Sequence, residues 1–217
     1  MSAPAQLEPH CGEAIVQALA AAISAARQHL SEIDAAIGDG DNGINMSKGF
    51  AQGLRRVRDA DVQDLGAALA QLSAALLDDI GGSMGPLYGV FFLHLGEALG
   101  GPTAIDAARF GRALRAATEA VQALGGARPG DKTLVDVLVP AEQAYAALLA
   151  ADAGFAAALA GMADAAHAGC AATAAMQARL GRAARLGSRS IGVPDAGAAS
   201  CALILGVLAE QIALRLS

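Results

Sequence analysis

Three carboxylates crowd one short stretch: Asp34, Asp39 and Asp41, in the run Asp34-Ala-Ala-Ile-Gly-Asp39-Gly-Asp41-Asn42-Gly43. Glycines loosen this run, so the three side chains can converge on one point. Close negative charges repel unless a cation offsets them. Oxygen donors of this kind suit a hard cation, Mg²⁺ or Ca²⁺. A calcium loop counted from Asp39 fails. Its sixth position is Ile44 where glycine is needed, and its twelfth is Phe50 where glutamate is needed. Mg²⁺, which takes one or two carboxylates together with phosphates, fits better. The plain alternative is a solvated Asp-Gly turn with a helix cap.

Three further segments hold glycines beside polar groups. Gly81-Gly82-Ser83-Met84-Gly85-Pro86 opens a helix, and such a turn can offer backbone N–H groups to an anion. Gly130-Asp131-Lys132-Thr133-Leu134 resembles a P-loop only superficially. Asp131 intrudes between Gly130 and Lys132, and no strand precedes it. Asp131 is expected to cap the next helix. The fourth segment, from Gly181 to Ala198, gathers Arg182, Arg185 and Arg189 in an acidic chain and holds Asp195, a candidate cap of the last helix. Arginine beside phosphates can neutralise charge during phosphoryl transfer. A solvated basic face is the plain alternative. His10, His29, His94 and His167 show no ligand spacing.

The elements that must position these segments are helices. Ile15, Leu19, Ile23, Ala26, Leu30, Ile33 and Ile37 recur at steps of three and four, one apolar stripe on a first helix ending near Gly38. Further helices are expected over about 45–58, from the Asp64 cap to about Ile80, from Pro86 to about Gly100, and from a Thr103 cap to about Leu124. The rest run over 133–150 with Pro140 inside, over 154–180, and from about Asp195 onward. That makes about eight helices, no convincing strand, and a single domain over 1–217. Short connections imply antiparallel neighbours. The glycine-rich segments fall at alternate connections, so they should share one rim of an up-and-down bundle.

Composition agrees. Alanine makes up about a quarter of the chain, aromatics 3%, and tryptophan is absent. Alanine favours helices, and sheets want the β-branched and aromatic residues scarce here. A net charge of −6 argues against a nucleic-acid partner. Mean hydropathy is +0.42, yet the longest uncharged stretch, Ile80 to Gly96, is broken by glycines and carries His94. No membrane span or secretory leader is expected. Three dispersed cysteines, Cys11, Cys170 and Cys201, suit a reducing compartment.

Taken in order and spacing, the four segments resemble subunit L of dihydroxyacetone kinase, the family of nucleotide-binding C-terminal domains of these kinases. The carriers are Gly38 to Met46, Gly81 to Gly89, Gly130 to Asp136 and Gly187 to Ala198, and the likeness covers essentially the whole chain. It implies an eight-helix antiparallel barrel with ADP or ATP at one end. Asp34, Asp39 and Asp41 would hold two Mg²⁺ ions. Asn42, Asn45 and Met46 would lie near the phosphates, and Gly82, Ser83 and Met84 on the phosphate turn. Gly130, Thr133 and Leu134 would border adenine. Arg182 would act at the transferring phosphate, with Asp195 beside the nucleotide.

The resemblance also implies a cytoplasmic location and a division of labour. The ketose would sit on a separate subunit K, and the nucleotide subunit can be a homodimer. The donor is either free ATP or bound ADP recharged by a phosphotransferase-system phosphoprotein. Asn45-Met46 leans towards the bound-ADP type. Three positions depart from the family pattern: Asn42 stands for His, Met84 for Ser, and Ala196 for Pro. Asn42 cannot titrate near neutral pH, and Met84 lacks a hydroxyl. They motivate a second reading, a catalytically altered regulatory paralogue that docks another protein. Small helices also leave open whether a lipid-like guest fills the barrel.

Overall fold

A computed structural model describes residues 5–217. Among them eight α-helices follow in sequence: α1 (Gly12–Ile37), α2 (Asn42–Asp59), α3 (Leu65–Asp79), α4 (Met84–Leu99), α5 (Ala107–Gly125), α6 (Val135–Ala150), α7 (Phe155–Ala172) and α8 (Ala196–Ala213). Each packs on its neighbours in sequence, and α8 returns to α1, so the antiparallel ring closes. The apolar stripe of α1 buries Ile15, Leu19, Ile23, Leu30 and Ile37.

Scarce aromatics are all spent on the interior. All five phenylalanines and both tyrosines are buried. Phe91 and Phe92 meet edge to face at 5.2 Å, and Phe110 lies 5.3 Å from Tyr145. Alanine and glycine fill the seams. A Cβ on Gly66 of α3 would strike the Gly96 carbonyl of α4 and the backbone of Gly100 just after it, so α3 and the end of α4 touch almost backbone to backbone. The helix α8 has mean hydropathy 1.6 and the length to cross a membrane, but 61% of it is buried against the other helices. Cys11 and Cys201 are buried and Cys170 half-buried, all three as free thiols.

Four expectations need correction. Two short strands exist: β1 (Gln6–Leu7) pairs antiparallel with β2 (Ile105–Asp106), and Ser217 bonds back to Gln6. They tie the N-terminal segment, the α4–α5 connection and the C-terminus together at one end of the ring. This pairing makes Asp106, not Thr103, the cap of α5. Its Oδ1 accepts from the Arg109 N–H at 2.6 Å. Asp131 caps no helix and instead accepts from the Arg128 N–H across a turn. The seventh helix stops at Ala172, well short of Leu180, where a one-turn 3₁₀ segment (Thr173–Ala175) takes over. Asp64 and Asp195 do cap α3 and α8.

The start of α2 lies at Asn42, three residues before the expected start near residue 45, and Gly43 packs tightly there. A Cβ there would collide with the Arg27 carbonyl and stand 2.7 Å from Ser31 Oγ, both on α1. Alanine would gain about 1 kcal/mol in helix propensity, but the obstacle is backbone and cannot yield. Gly43→Ala should therefore destabilise the chain by about 1–3 kcal/mol, read as a lower urea midpoint.

Candidate functional site

All four glycine-rich segments meet at the end of the ring opposite the two strands. They line a cleft of about 420 Å³. Alternation put them there, since the α1–α2, α3–α4, α5–α6 and α7–α8 connections share one rim.

The acidic wall comes first. Asp34 rides the last turn of α1, Asp39 the connection, and Asp41 the N-cap position of α2. Their carboxylate oxygens lie within 4.8 Å of one another. The capping alternative does not account for Asp41, whose side chain makes no cap hydrogen bond. Asp34 Oδ2 accepts from the Asn42 N–H at 3.2 Å, while Asp39 and Asp41 face solvent. The Arg182 guanidinium pairs with Asp39 and lies 3.9 Å from Asp41. A cation already occupies the neighbourhood, and three hard oxygen donors without nitrogen or sulfur fit Mg²⁺. Asn42 is 6% exposed and its Oδ1 has no hydrogen-bond partner.

Opposite stands the Gly81–Ser83 turn before α4. Gly82 has φ +72°, a conformation that favours glycine. A Cβ at Gly81 or Gly82 would meet nothing within 4 Å, so the turn borders open space. Tyr88 fixes α4 to the start of α8 through its hydroxyl, which bonds Gly197 O at 3.1 Å and Ser200 Oγ at 2.8 Å.

The third turn is organised by Asp136. This buried carboxylate accepts from the N–H groups of Gly130 and Thr133. Beside it Leu134, Val121, Leu124, Leu87 and Leu180 give the cleft an apolar end. The fourth segment carries Arg182 out over the acidic residues. Its exit is Asp195, half-buried at the N-cap of α8.

Asp34, Asp39, Asp41, Asn42, Asn45, Gly82, Ser83, Met84, Thr133, Leu134, Arg182 and Asp195 all border the cleft. Two expected residues do not. Met46 is fully buried in the core, one turn before the equally buried Phe50 on the inward face of α2. Gly130 serves as a turn, with φ +95° and its N–H spent on Asp136. Sequence reading also passed over Lys132 and Asp136 as organisers. Asp136 had a signal, a lone charge inside the apolar run Leu134-Val135-Asp136-Val137-Leu138; Lys132, outside that run, had none.

Burial raises the Asp195 carboxyl to about 6, with Asp136 and Asp34 reinforcing the rise and the Ala198 N–H and Lys132 opposing it. A raised acid contributes stability below its unfolded value of 3.8, and that contribution is lost as pH climbs through 6. Stability should therefore fall by roughly 2–3 kcal/mol between pH 4 and 7 from this group. Asp195→Asn keeps the cap and should flatten that slope in urea titrations at pH 4.5 and 7.5. An unchanged slope would refute the assignment.

Comparison with known proteins gives a consistent picture. Residues 36–210 match the family model for the DAK2 domain. The ADP-binding subunit DhaL of the PEP-dependent dihydroxyacetone kinase of Escherichia coli (strain K12) is 34% identical over 182 residues, covering 84% of this chain and 87% of that subunit. The D-erythrulose kinase of Mycolicibacterium smegmatis is 35% identical over 91% of this chain, which spans only 34% of that enzyme. The crystal structure of the dihydroxyacetone kinase from C. freundii with AMP-PNP and Mg²⁺ superposes with a TM-score of 0.67 at 27% identity, over 97% of this chain and 36% of that one.

Proposed function

Because the chain belongs to the DAK2 domain family, that of the nucleotide-binding subunit of dihydroxyacetone kinases, we propose that it is a phosphotransferase subunit. It passes a phosphoryl group from bound ATP, or from recharged ADP, to dihydroxyacetone or a related small ketose held on a partner subunit K. The observation that carries this reading is the cleft itself: a carboxylate triad, an open glycine turn and an arginine brought together from three different connections.

Each residue then has a task. Asp34, Asp39 and Asp41 hold Mg²⁺, two ions in the full site. Bound there, the metal neutralises phosphate charge. The Gly82 and Ser83 N–H groups cradle phosphate oxygens, with Asn42, Asn45 and Met84 alongside. Thr133 and Leu134 border the base, which the apolar end accepts by shape. Arg182 offsets charge on the moving phosphoryl group. No protein nucleophile is needed, because such transfer depends on positioning and electrostatics. A separate ketose carrier is supported by the relatives. DhaL is named as one subunit of a larger kinase, and the erythrulose kinase is about three times as long as its matching part. The setting we propose is the cytoplasm.

Calorimetry of ADP binding with and without Mg²⁺ tests the reading. Affinity should depend steeply on the metal, and equal affinity in its absence would sink the proposal. Mass spectrometry of the purified chain separates the donors: retained ADP indicates the phosphoprotein-charged type, and an empty cleft the ATP-exchanging type.

A further inference from the structure

We propose that Lys132 is a positioning residue: its ammonium locks the Arg182-bearing segment onto the nucleotide-side turn, and it acts on transfer only through Arg182. This rests on the role given to Arg182 above. Lys132 is 1% exposed, the most deeply buried cation among the described residues. Its Nζ donates to Ser190 O at 2.5 Å, Val193 O at 2.6 Å and Met176 O at 3.1 Å. An ammonium has three donors, and all three are spent. Lys132 borders the cleft, yet no donor remains for a phosphate. The lysine of this P-loop-like string therefore does different work.

The three acceptors bracket Arg182. Met176 lies before it, Ser190 and Val193 after it, so one point gathers both ends of the excursion. The stretch between has little regular structure of its own, only 3₁₀ turns kinked at Gly187. Besides the half-exposed Arg182–Asp39 pair at its middle, its other ties are few. Arg179 N donates to Asp131 O, Gly192 N to Ala174 O, and Ser190 Oγ links Ala178 to Gly187. Two costs at Lys132 show that the geometry is over-determined. A buried ammonium is expensive without full pairing, and burial accordingly lowers its pKa. The residue also holds φ +63°, unfavourable for a side-chain-bearing residue. Removing the amine would strand three carbonyls and free the loop at both ends.

Limited trypsin digestion is the direct test, because Arg179, Arg182, Arg185 and Arg189 all lie in the held segment. Lys132→Met should speed cleavage there at least tenfold while the helical circular dichroism persists. Unchanged cleavage would overturn the clamp. Should that variant not fold, the unaltered chain still decides. It has two lysines, Lys48 and Lys132, and reductive methylation should modify exposed Lys48 at least a hundredfold faster. Comparable rates would overturn the clamp. Action through Arg182 is tested by a double-mutant cycle in a transfer assay reconstituted with subunit K. Lys132→Met should slow transfer with Mg²⁺–ADP affinity held within threefold, and adding it to Arg182→Ala should cost nothing further. Additive losses would overturn that part. If the phosphotransferase reading itself fails, transfer is absent even from the unaltered chain, whereas digestion and methylation still report on the clamp.

Discussion

Asp39→Asn combined with Asp41→Asn is expected to weaken Mg²⁺-dependent ADP binding by a factor of about 100 or more. The substitutions keep the size of both side chains and remove two of the three negative charges facing one point. Disturbing partners outside the metal's own ligands already costs about 10–100-fold in affinity, and these residues would be ligands. A control sharpens the result. Without Mg²⁺, the same variant should bind ADP as well as the unaltered chain, or better, because carboxylates repel the phosphates. A simple loss of fold would weaken both measurements, so the divergence between them identifies the site. Stability should change little. The Arg182–Asp39 pair is about half exposed, and exposed pairs contribute about 0–1 kcal/mol. Equal Mg²⁺-dependent affinity in variant and parent would refute the metal assignment.

Much of this layout is legible in the sequence. The stripe from Ile15 to Ile37 reports a long helix with one face inward, and that face is buried. Asp64 and Asp195 announce caps because an acceptor just before an apolar run has few other uses. Placing the four segments on one rim needed only the alternation of an up-and-down bundle. What escaped was decided by contacts distant in sequence. The early start of α2 seats Gly43 against Arg27, sixteen residues back. Once that start is fixed, Asn42, Met46 and Phe50 fall at steps of four on one face, and Met46 must point to the core. The short α7 has a similar cause. Alanines allow the helix to continue, but Thr173 Oγ1 takes the Asp195 N–H and Lys132 collects Met176, Ser190 and Val193, so the chain must leave the helix. Periodicity carries no trace of a lysine that satisfies three remote carbonyls.

Arg182→Ala should separate binding from chemistry. In this structure its guanidinium rests on Asp39, near Asp41, and it stands in a segment that contributes little to the core. Nucleotide affinity rests on the metal, the glycine turn and the apolar end, so Mg²⁺–ADP binding should stay within about threefold. Mg²⁺ affinity should rise slightly, since the competing cation is gone. Transfer is another matter. Arginines that meet developing charge on a phosphoryl group are worth about 10³–10⁵ in rate. A loss of at least a thousandfold in kcat is expected, with kcat/KM falling in parallel, the signature of an interaction made only in the transition state. Arg182→Lys should restore only part of the rate, because an ammonium supplies charge without the planar fork. Unaltered transfer by Arg182→Ala would remove the residue from the chemistry and leave it a counter-ion to Asp39. A loss confined to affinity would make it a ground-state phosphate ligand. The metal variant and the arginine variant thus fail in opposite ways, one in binding and one in rate. That opposition distinguishes a working phosphotransferase cleft from a pocket that merely holds a nucleotide.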